Sequence, residues 1–294
     1  MPSDVETSRT GAQPATAAAI VLAGGRSTRM GRPKAGLEWH GSTLLRRVTG
    51  IVARVVDGPV VVVRARGQEL PDLPAGVELA HDAHEGRGPL QGLAAGLAAV
   101  AGRAEAAYVS STDVPLLHPA FVRTVLRALE REDVEVALPV AHGFRHPLSA
   151  AYRTSLLGAV EGLIAQGRMK PAFLFERSRV RELDETALLL DPELRRADPE
   201  LLSLVNVNDP DEYERARTRV APAVTVRRFG TLAAAGRDPL PLRAATLGAA
   251  AEGAGLTLDR HVVAALNGDQ ISRDPELPLA AGDTVAFLAA DAGG

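Results

Sequence analysis

Between positions 22 and 37 the chain reads LAGGRSTRMGRPKAGL. Gly24 and Gly25 let main-chain N–H groups approach a ligand closely and point at its oxygens. Arg26, Arg29, Arg32 and Lys34 add positive charge. Together they describe a seat for phosphate, although a solvated basic loop would have the same composition. The spacing is neither that of the P-loop nor G-x-G-x-x-G. Lys34 is conspicuous because Lys170 is the only other lysine in an arginine-rich chain. Further along, Asp82, Asp113 and the pair Asn206 and Asn208 have oxygens to offer a cation or a polar substrate. The asparagines sit at i and i+2, either on one face of a strand or as turn formers before Pro210. His81, His84, His142 and His146 follow no zinc spacing, and the chain has no cysteine to join them.

These residues need elements to hold them. The run 17–25 is apolar and ends in glycine, as a buried strand feeding a loop would. Positions 59–65, PVVVVRA, are β-branched without alternation, which predicts a strand buried on both faces of a parallel sheet. Strands are also expected over 106–117, on both sides of a loop within 134–153, and at the start of 201–220. Helices are expected over 43–55, 88–102, 119–131 and 155–167, and at the end of 201–220. This alternation predicts a doubly wound, mostly parallel α/β sheet. Such sheets bind ligands at the carboxyl ends of their strands. The glycine loop, Asp82, Asp113 and the two asparagines all fall at such ends.

After RTRVAPA (217–223) the character changes. Segment 224–230 alternates like a strand, and 242–256 is weakly helical. Segment 261–272 holds two strands around Asn267-Gly268, a hairpin signal, and 279–290 is a turn and a last strand. The expected organisation is a disordered leader over 1–16, one unit over 17–220, and a small α+β unit over 223–294.

A chain of 294 residues with 46 % apolar content has room for two such cores. A net charge of -3 exerts no general pull on nucleic acid or anionic membranes. No apolar run approaches the roughly 20 residues needed to cross a bilayer, and the polar start carries no signal pattern. The absence of cysteine removes disulfides, thiolate metal sites and cysteine nucleophiles, and fits the reducing cytoplasm. The last residues, AADAGG, put Gly293 and Gly294 after an apolar strand, where they would form a thin tail able to enter a narrow slot.

The pattern L-A-G-G-x-S-x-R-M-G-x-x-K resembles the signature of the molybdenum cofactor guanylyltransferases, relatives of the sugar-phosphate nucleotidyltransferases. Leu22, Ala23, Gly24, Gly25, Ser27, Arg29, Met30, Gly31 and Lys34 supply its fixed letters. HDAHEGRGPLQGL (81–93), STDVP (111–115), HPLSAAYR (146–153) and VNVNDPDEY (205–213) resemble further family segments in the family's order, over residues 17–218. Asp209 stands where threonine is usual. The resemblance implies a nucleotide site built from Leu22, Ala23, Gly24, Gly25, Arg26, Ser27, Lys34, Asp82, Gly88, Pro89, Leu90 and Asp113. It implies Lys34, Asp113 and Arg29 as the chemical residues and GTP as the substrate. Attack of a phosphate on the α-phosphate of a nucleoside triphosphate joins two anions, so charge neutralisation and positioning dominate. Mg²⁺ takes one or two carboxylates plus phosphate oxygens, which suits Asp113. Asn208, or else Asn206, would complete that metal site. Relatives carry an asparagine near the nucleobase where this chain reads VVVRARGQ, so cytidylyl transfer competes with guanylyl transfer. A sugar-phosphate nucleotidyltransferase, or an inactive scaffold of the same fold, would fit the pattern too.

The openings VTVRRFGTLAAAGRD (224–238), ALNGDQISRD (265–274) and LAAGDTVAFLAADAGG (279–294) resemble the small subunit of molybdopterin synthase, a ubiquitin-like sulfur carrier. That resemblance implies a thiocarboxylate on Gly294, an E1-like activating enzyme and the synthase large subunit as partners, and a ubiquitin-like (β-grasp) fold. The alanines and aspartate at 289–292 depart from the bulkier residues usual before the tail. Two steps of one pathway on one chain make each resemblance support the other: a bifunctional molybdenum cofactor biosynthesis protein acting on Mo-molybdopterin.

Overall fold

The computed structural model describes residues 15–24, 30–31, 33–82, 86–130, 133–235 and 238–289. The first strand, β1 (Ala15–Leu22), is followed by a small hairpin, β2 (Glu38–Trp39) and β3 (Ser42–Thr43), and helix α1 (Leu44–Ala53). Then come β4 (Val60–Ala65), β5 (Val77–Asp82), α2 (Pro89–Val100), β6 (Ala104–Ser111) and α3 (Pro119–Arg127). Strands β7 (Val136–Ala141), β8 (Phe144–Arg145) and β9 (Ser149–Arg153) precede α4 (Leu157–Ala165) and α5 (Pro171–Phe175). Strand β10 (Val180–Asp184), α6 (Glu185–Leu188), α7 (Pro192–Ala197) and α8 (Pro210–Arg217) complete the first part.

These strands make an eight-stranded sheet in the order β10-β7-β9-β6-β1-β4-β5, with β8 paired to β7. Strand β1 lies parallel to both β4 and β6, and β4 is parallel to β5. Strand β9 is antiparallel to β6 and β7, so the sheet is mixed. Successive β1 residues serve opposite faces, as pleating requires. Ala19 and Val21 pack with α1 and α3, whereas Ala18, Ile20 and Leu22 pack with α2 and α4. Burial on both faces is why the sequence there is apolar without alternation.

The starts of the helices follow from local chemistry. Thr43 caps α1 by accepting the Arg46 N–H at 3.2 Å. Pro89 and Pro119 sit in the first turns of α2 and α3, where the missing N–H costs nothing. His118 caps α3 through Nδ1, which accepts the Ala120 N–H. On α2, a Cβ at Gly96 would lie 2.3 Å from Ile20 Cγ2, and one at Gly92 would lie 3.3 Å from Leu22. The absent side chains let the helix sit close on β1.

The second part forms its own five-stranded sheet. Its strands are β11 (Ala223–Arg228), β12 (Leu240–Arg243), β13 (Val262–Leu266), β14 (Gln270–Ser272) and β15 (Thr284–Ala289), in the order β12-β11-β15-β13-β14. Strands β11 and β15 are parallel, and the other pairs are antiparallel. Helix α9 (Leu247–Gly253) covers one face, packing Leu247, Ala250 and Ala251 on Val226, Leu266, Val285 and Phe287. The expected turn is present, with φ of 54° at Asn267 and 96° at Gly268.

Four expectations need correction. No strand opens the 201–220 segment: Leu202–Leu204 is a 3-10 turn, and the chain then crosses the sheet's end with Val207 N–H bonded to Asp113 O at 2.8 Å. Strands β5 and β10 were not expected, because edge strands with mostly exposed or half-buried residues (VELAHD, VRELD) lack the apolar run of a central strand. Strand β12 was hidden by Pro241, which an edge position tolerates. Ala15 and Thr16, expected in the leader, belong to β1, where Thr16 and Ala17 bond the Asp57 carboxylate; positions 1–14 lie outside the described residues.

Candidate active site

The carboxyl ends of β1, β4, β5 and β6 open into one cleft of about 380 Å³. Leu22, Ala23, Gly24, Lys34, Asp82, Gly88, Pro89 and Asp113, all singled out in the sequence, line it. Gly88 has φ of 109°, a conformation that favours glycine, and a Cβ there would sit tightly, 3.3 Å from Met169 O. Leu90 does not line the cleft: its side chain is fully buried in the core between α2 and the sheet. It therefore has only its main chain to offer a ligand. Gly25, Arg26, Ser27, Arg29, Arg32, His84 and the tail glycines Gly293 and Gly294 lie outside the described residues.

Asp113, two residues beyond β6, is the centre of the polar end. Its Oδ1 accepts the Ser111 hydroxyl and the Asn206 amide N–H at 3.0 Å. Its Oδ2 faces Lys34 Nζ at 2.9 Å. Lys34 also donates to Asn208 Oδ1 at 3.3 Å. Both partners of the ion pair are largely shielded, at 17 % and 15 % side-chain exposure. The two asparagines thus share a face although their segment is not a strand. One orients the carboxylate, and the other turns its oxygen toward the cation. Asp209 caps α8 by accepting the Glu212 N–H at 2.8 Å, while the Glu212 carboxylate accepts the Asn208 N–H at 2.7 Å. This reciprocal cap holds the asparagine segment in place, and an aspartate serves it as a threonine would.

The donor set at this point is a carboxylate and an amide oxygen around an ammonium group. Hard oxygens already facing a cation fit Mg²⁺, which asks for few protein ligands and takes the rest from phosphates. Among the described residues no group of three or more His, Asp or Glu side chains could hold a metal. His142 and His146 instead bond main-chain carbonyls, Glu200 O and Ala141 O. Burial, partly offset by that carbonyl, holds His146 below its ordinary pKa of 6.5.

Further cleft residues come from the quoted segments without having been singled out as site residues. Ser111 and Thr112 flank the strand end, and Leu148 enters from the HPL stretch, its carbonyl bonded to Ser111 N–H. Gln68 ties two loops together: its amide donates to Ala23 O at 2.9 Å and accepts the Ala65 N–H at 3.0 Å. Arg64 donates to Gln68 O, which turns it along that loop. A glutamine just past a strand, beside a glycine, is the only trace such a brace leaves in a sequence.

A family model described as the MobA-like NTP transferase domain matches residues 19–183. The chain belongs to that family. The match runs from Ala19, midway along β1, to Leu183, one residue short of the end of β10, and contains the described cleft residues except the asparagine segment. A molybdenum cofactor guanylyltransferase from Desulfosudis oleivorans is 34 % identical over 202 residues, covering 68 % of this chain and 94 % of that relative. A probable molybdenum cofactor guanylyltransferase from Mycobacterium ulcerans is 39 % identical over 169 residues, covering 56 % and 82 %. The fold also matches the crystal structure of molybdopterin-guanine dinucleotide biosynthesis protein A from Archaeoglobus fulgidus, with a TM-score of 0.55 at 24 % identity, over 68 % of this chain and 96 % of that one. The MobA-like part is a nucleotidyltransferase. No helix among the described residues is long and apolar enough to cross a membrane.

Proposed function

We propose that this chain is a bifunctional protein of molybdenum cofactor biosynthesis, divided near residues 220–223. The first unit transfers GMP from GTP to Mo-molybdopterin and releases pyrophosphate. The observation that carries this reading is the Lys34–Asp113–Asn208 cluster at the mouth of a glycine-walled cleft, in a family whose curated relatives bear the guanylyltransferase name. A terminal phosphate oxygen of the pterin substrate attacks the α-phosphorus of GTP. The bond from that phosphorus to the α–β bridging oxygen breaks, and pyrophosphate leaves with the electron pair. The nucleophile is already ionised, so no general base is needed. Lys34 neutralises phosphate oxygens, and the Gly24 and Gly88 turns let main chain approach them. Asp113 and Asn208 would hold Mg²⁺, which supplies charge neutralisation of the triphosphate when bound. The experiment is pyrophosphate release with Mg²⁺, Mo-molybdopterin and GTP, CTP or UTP in turn. Release with GTP alone is expected. Release with CTP alone would move the protein to cytidylyl transfer, and none with any base would favour a scaffold.

The second unit is proposed as a sulfur carrier bearing a thiocarboxylate on Gly294, activated by an E1-like enzyme and used by the synthase large subunit. Support comes from the strand order second-first-fifth-third-fourth, with a parallel central pair and one covering helix, which is a ubiquitin-like arrangement. Removal of Gly294 should abolish the thiocarboxylate formed with an E1-like enzyme, as read by intact mass. Its persistence would sink the carrier assignment.

A further inference from the structure

Helix α1 carries arginines at 46 and 47 and is capped at its C-terminus by Arg54, and all three reach into the second unit. Positions 46, 50 and 54 recur every four residues and form one stripe. Arg46 pairs with Asp274 at 2.7 Å, and Ser42 bonds Glu276 at 3.0 Å. Gly50 carries no side chain, and a Cβ there would lie 2.6 Å from the Pro278 ring. Arg54 makes a two-pronged pair with Asp283 at 2.9 and 2.6 Å, both side chains only 6 % exposed. His118 Nε2 lies 3.1 Å from Ala281 O. The 274–283 loop is therefore seated on the nucleotidyltransferase rather than tethered to it.

Arg47 is the buried member, and its bonds run two ways. Two go to the second unit: Nη1 donates to Ala245 O at 3.5 Å and Leu279 O at 3.4 Å. The third runs back into the active-site loop, where Nε donates to Pro115 O. Pro115 is two residues from Asp113, whose own carbonyl holds Val207 N–H between the two asparagines. A buried cation whose acceptors are all main-chain carbonyls depends on every one of them. Burial, together with the neighbouring Arg54, lowers its pKa to about 10, so it is still charged at neutral pH.

We infer that Arg47 is a positioning residue through which the docked second unit sets the Asp113–Pro115 loop, making the second unit a structural part of the nucleotidyltransferase site. This inference rests on the reading of Asp113 as the site's metal-binding carboxylate. When the unit lifts away, the guanidinium loses two of its three acceptors and turns to water. The Pro115 carbonyl is then released, and the asparagine segment bonded to Asp113 loosens with it.

The test uses the full chain in three forms: parent, Arg47→Met, and Arg54→Glu, which sets a carboxylate against Asp283. Hydrogen exchange is followed at the Val207 and Leu117 amides, which report the 113–117 loop whether or not turnover is seen. Both variants should exchange there about tenfold faster than the parent. In the pyrophosphate assay kcat should fall about tenfold while KM for GTP changes less than about twofold, and Arg47→Lys should recover part of the loss. A merely structural role would lower the melting temperature and leave the kcat of folded protein alone. Unchanged exchange in Arg47→Met overturns the inference. Fast exchange in Arg47→Met alone, with Arg54→Glu like the parent, overturns the part assigned to the second unit. If Arg47→Met fails to fold, Arg47→Lys carries the same comparison. Should the parent release no pyrophosphate with any nucleotide, the functional reading fails, and the exchange data still decide the coupling.

Discussion

Asp113 divides its two oxygens between different tasks. Oδ1 is held by Ser111 and Asn206, and Oδ2 is left to face a cation, with Asn208 Oδ1 nearby. The two asparagines therefore have separable effects. Asn208→Ala should raise the Mg²⁺ concentration for half-maximal pyrophosphate release, because it removes an oxygen from the proposed metal position. Asn206→Ala should lower kcat with that midpoint little moved, because it frees the carboxylate to rotate. Asp113→Ala should lose both, with kcat down by about 100-fold or more. A Mg²⁺ titration of the three variants separates them. Asn206 and Asn208 shifting the midpoint equally would refute the division of labour. At this scale the sequence was informative where chemistry demands a residue type: Lys34, Asp113, Gly24 and Gly88 all reach the cleft. It was silent on Gln68, and for Leu90 it did not show that the side chain turns into the core, because a motif letter does not say which way a side chain points.

Helix α2, whose first turn borders the cleft, sits close on β1. Gly96 makes that approach possible, with Ile20 Cγ2 only 2.3 Å from where its Cβ would be. Gly96→Ala should destabilise the first unit by about 1–3 kcal/mol through overpacking, outweighing the roughly 1 kcal/mol that alanine gains in a helix. Urea unfolding reads the result, and an unchanged or raised midpoint would show that the helix can retreat at no cost. Elements buried on both faces were the readable ones: β1 and β4 announce themselves by uninterrupted apolar residues. Edge strands β5, β10 and β12 did not, since one edge meets water and their sequences can be polar or contain proline. The 201–208 segment looked like a strand because extended chain and strand share a composition. What separates them is the partner, and this segment crosses the sheet instead of pairing along it.

Across the whole molecule, the second unit is held by its 274–283 loop, at the start of β15, while the chain leaves that strand at Ala289. Six strand residues span about 20 Å, so the seat and the exit are at opposite ends of the strand. Docking on α1 therefore leaves the Ala289 end of β15 away from the seat, so the carrier role proposed above would not require the units to separate. The sequence marks 43–55 as a helix and says nothing of a second unit against its arginines, because an interface within one chain does not announce its partner. The seat also contains a group sensitive to pH. His118 is kept below its ordinary pKa of 6.5 mainly by burial, against the Ala281 carbonyl, Asp198 and Asp283, which favour the proton. His40 and His146 are lowered by burial as well. As pH falls below about 6.5 the unfolded chain takes protons that the folded chain refuses, so stability rises with pH across that window. Above it both states are neutral at these sites and the dependence vanishes. The melting temperature should thus fall from pH 7 to pH 5 and stay level from pH 7 to pH 8. His118→Asn, which keeps a capping oxygen for α3 but cannot bind the proton, should make the acid-side fall shallower. A slope identical to the parent's would place the buried protonation cost on the other histidines and leave His118 as a cap alone.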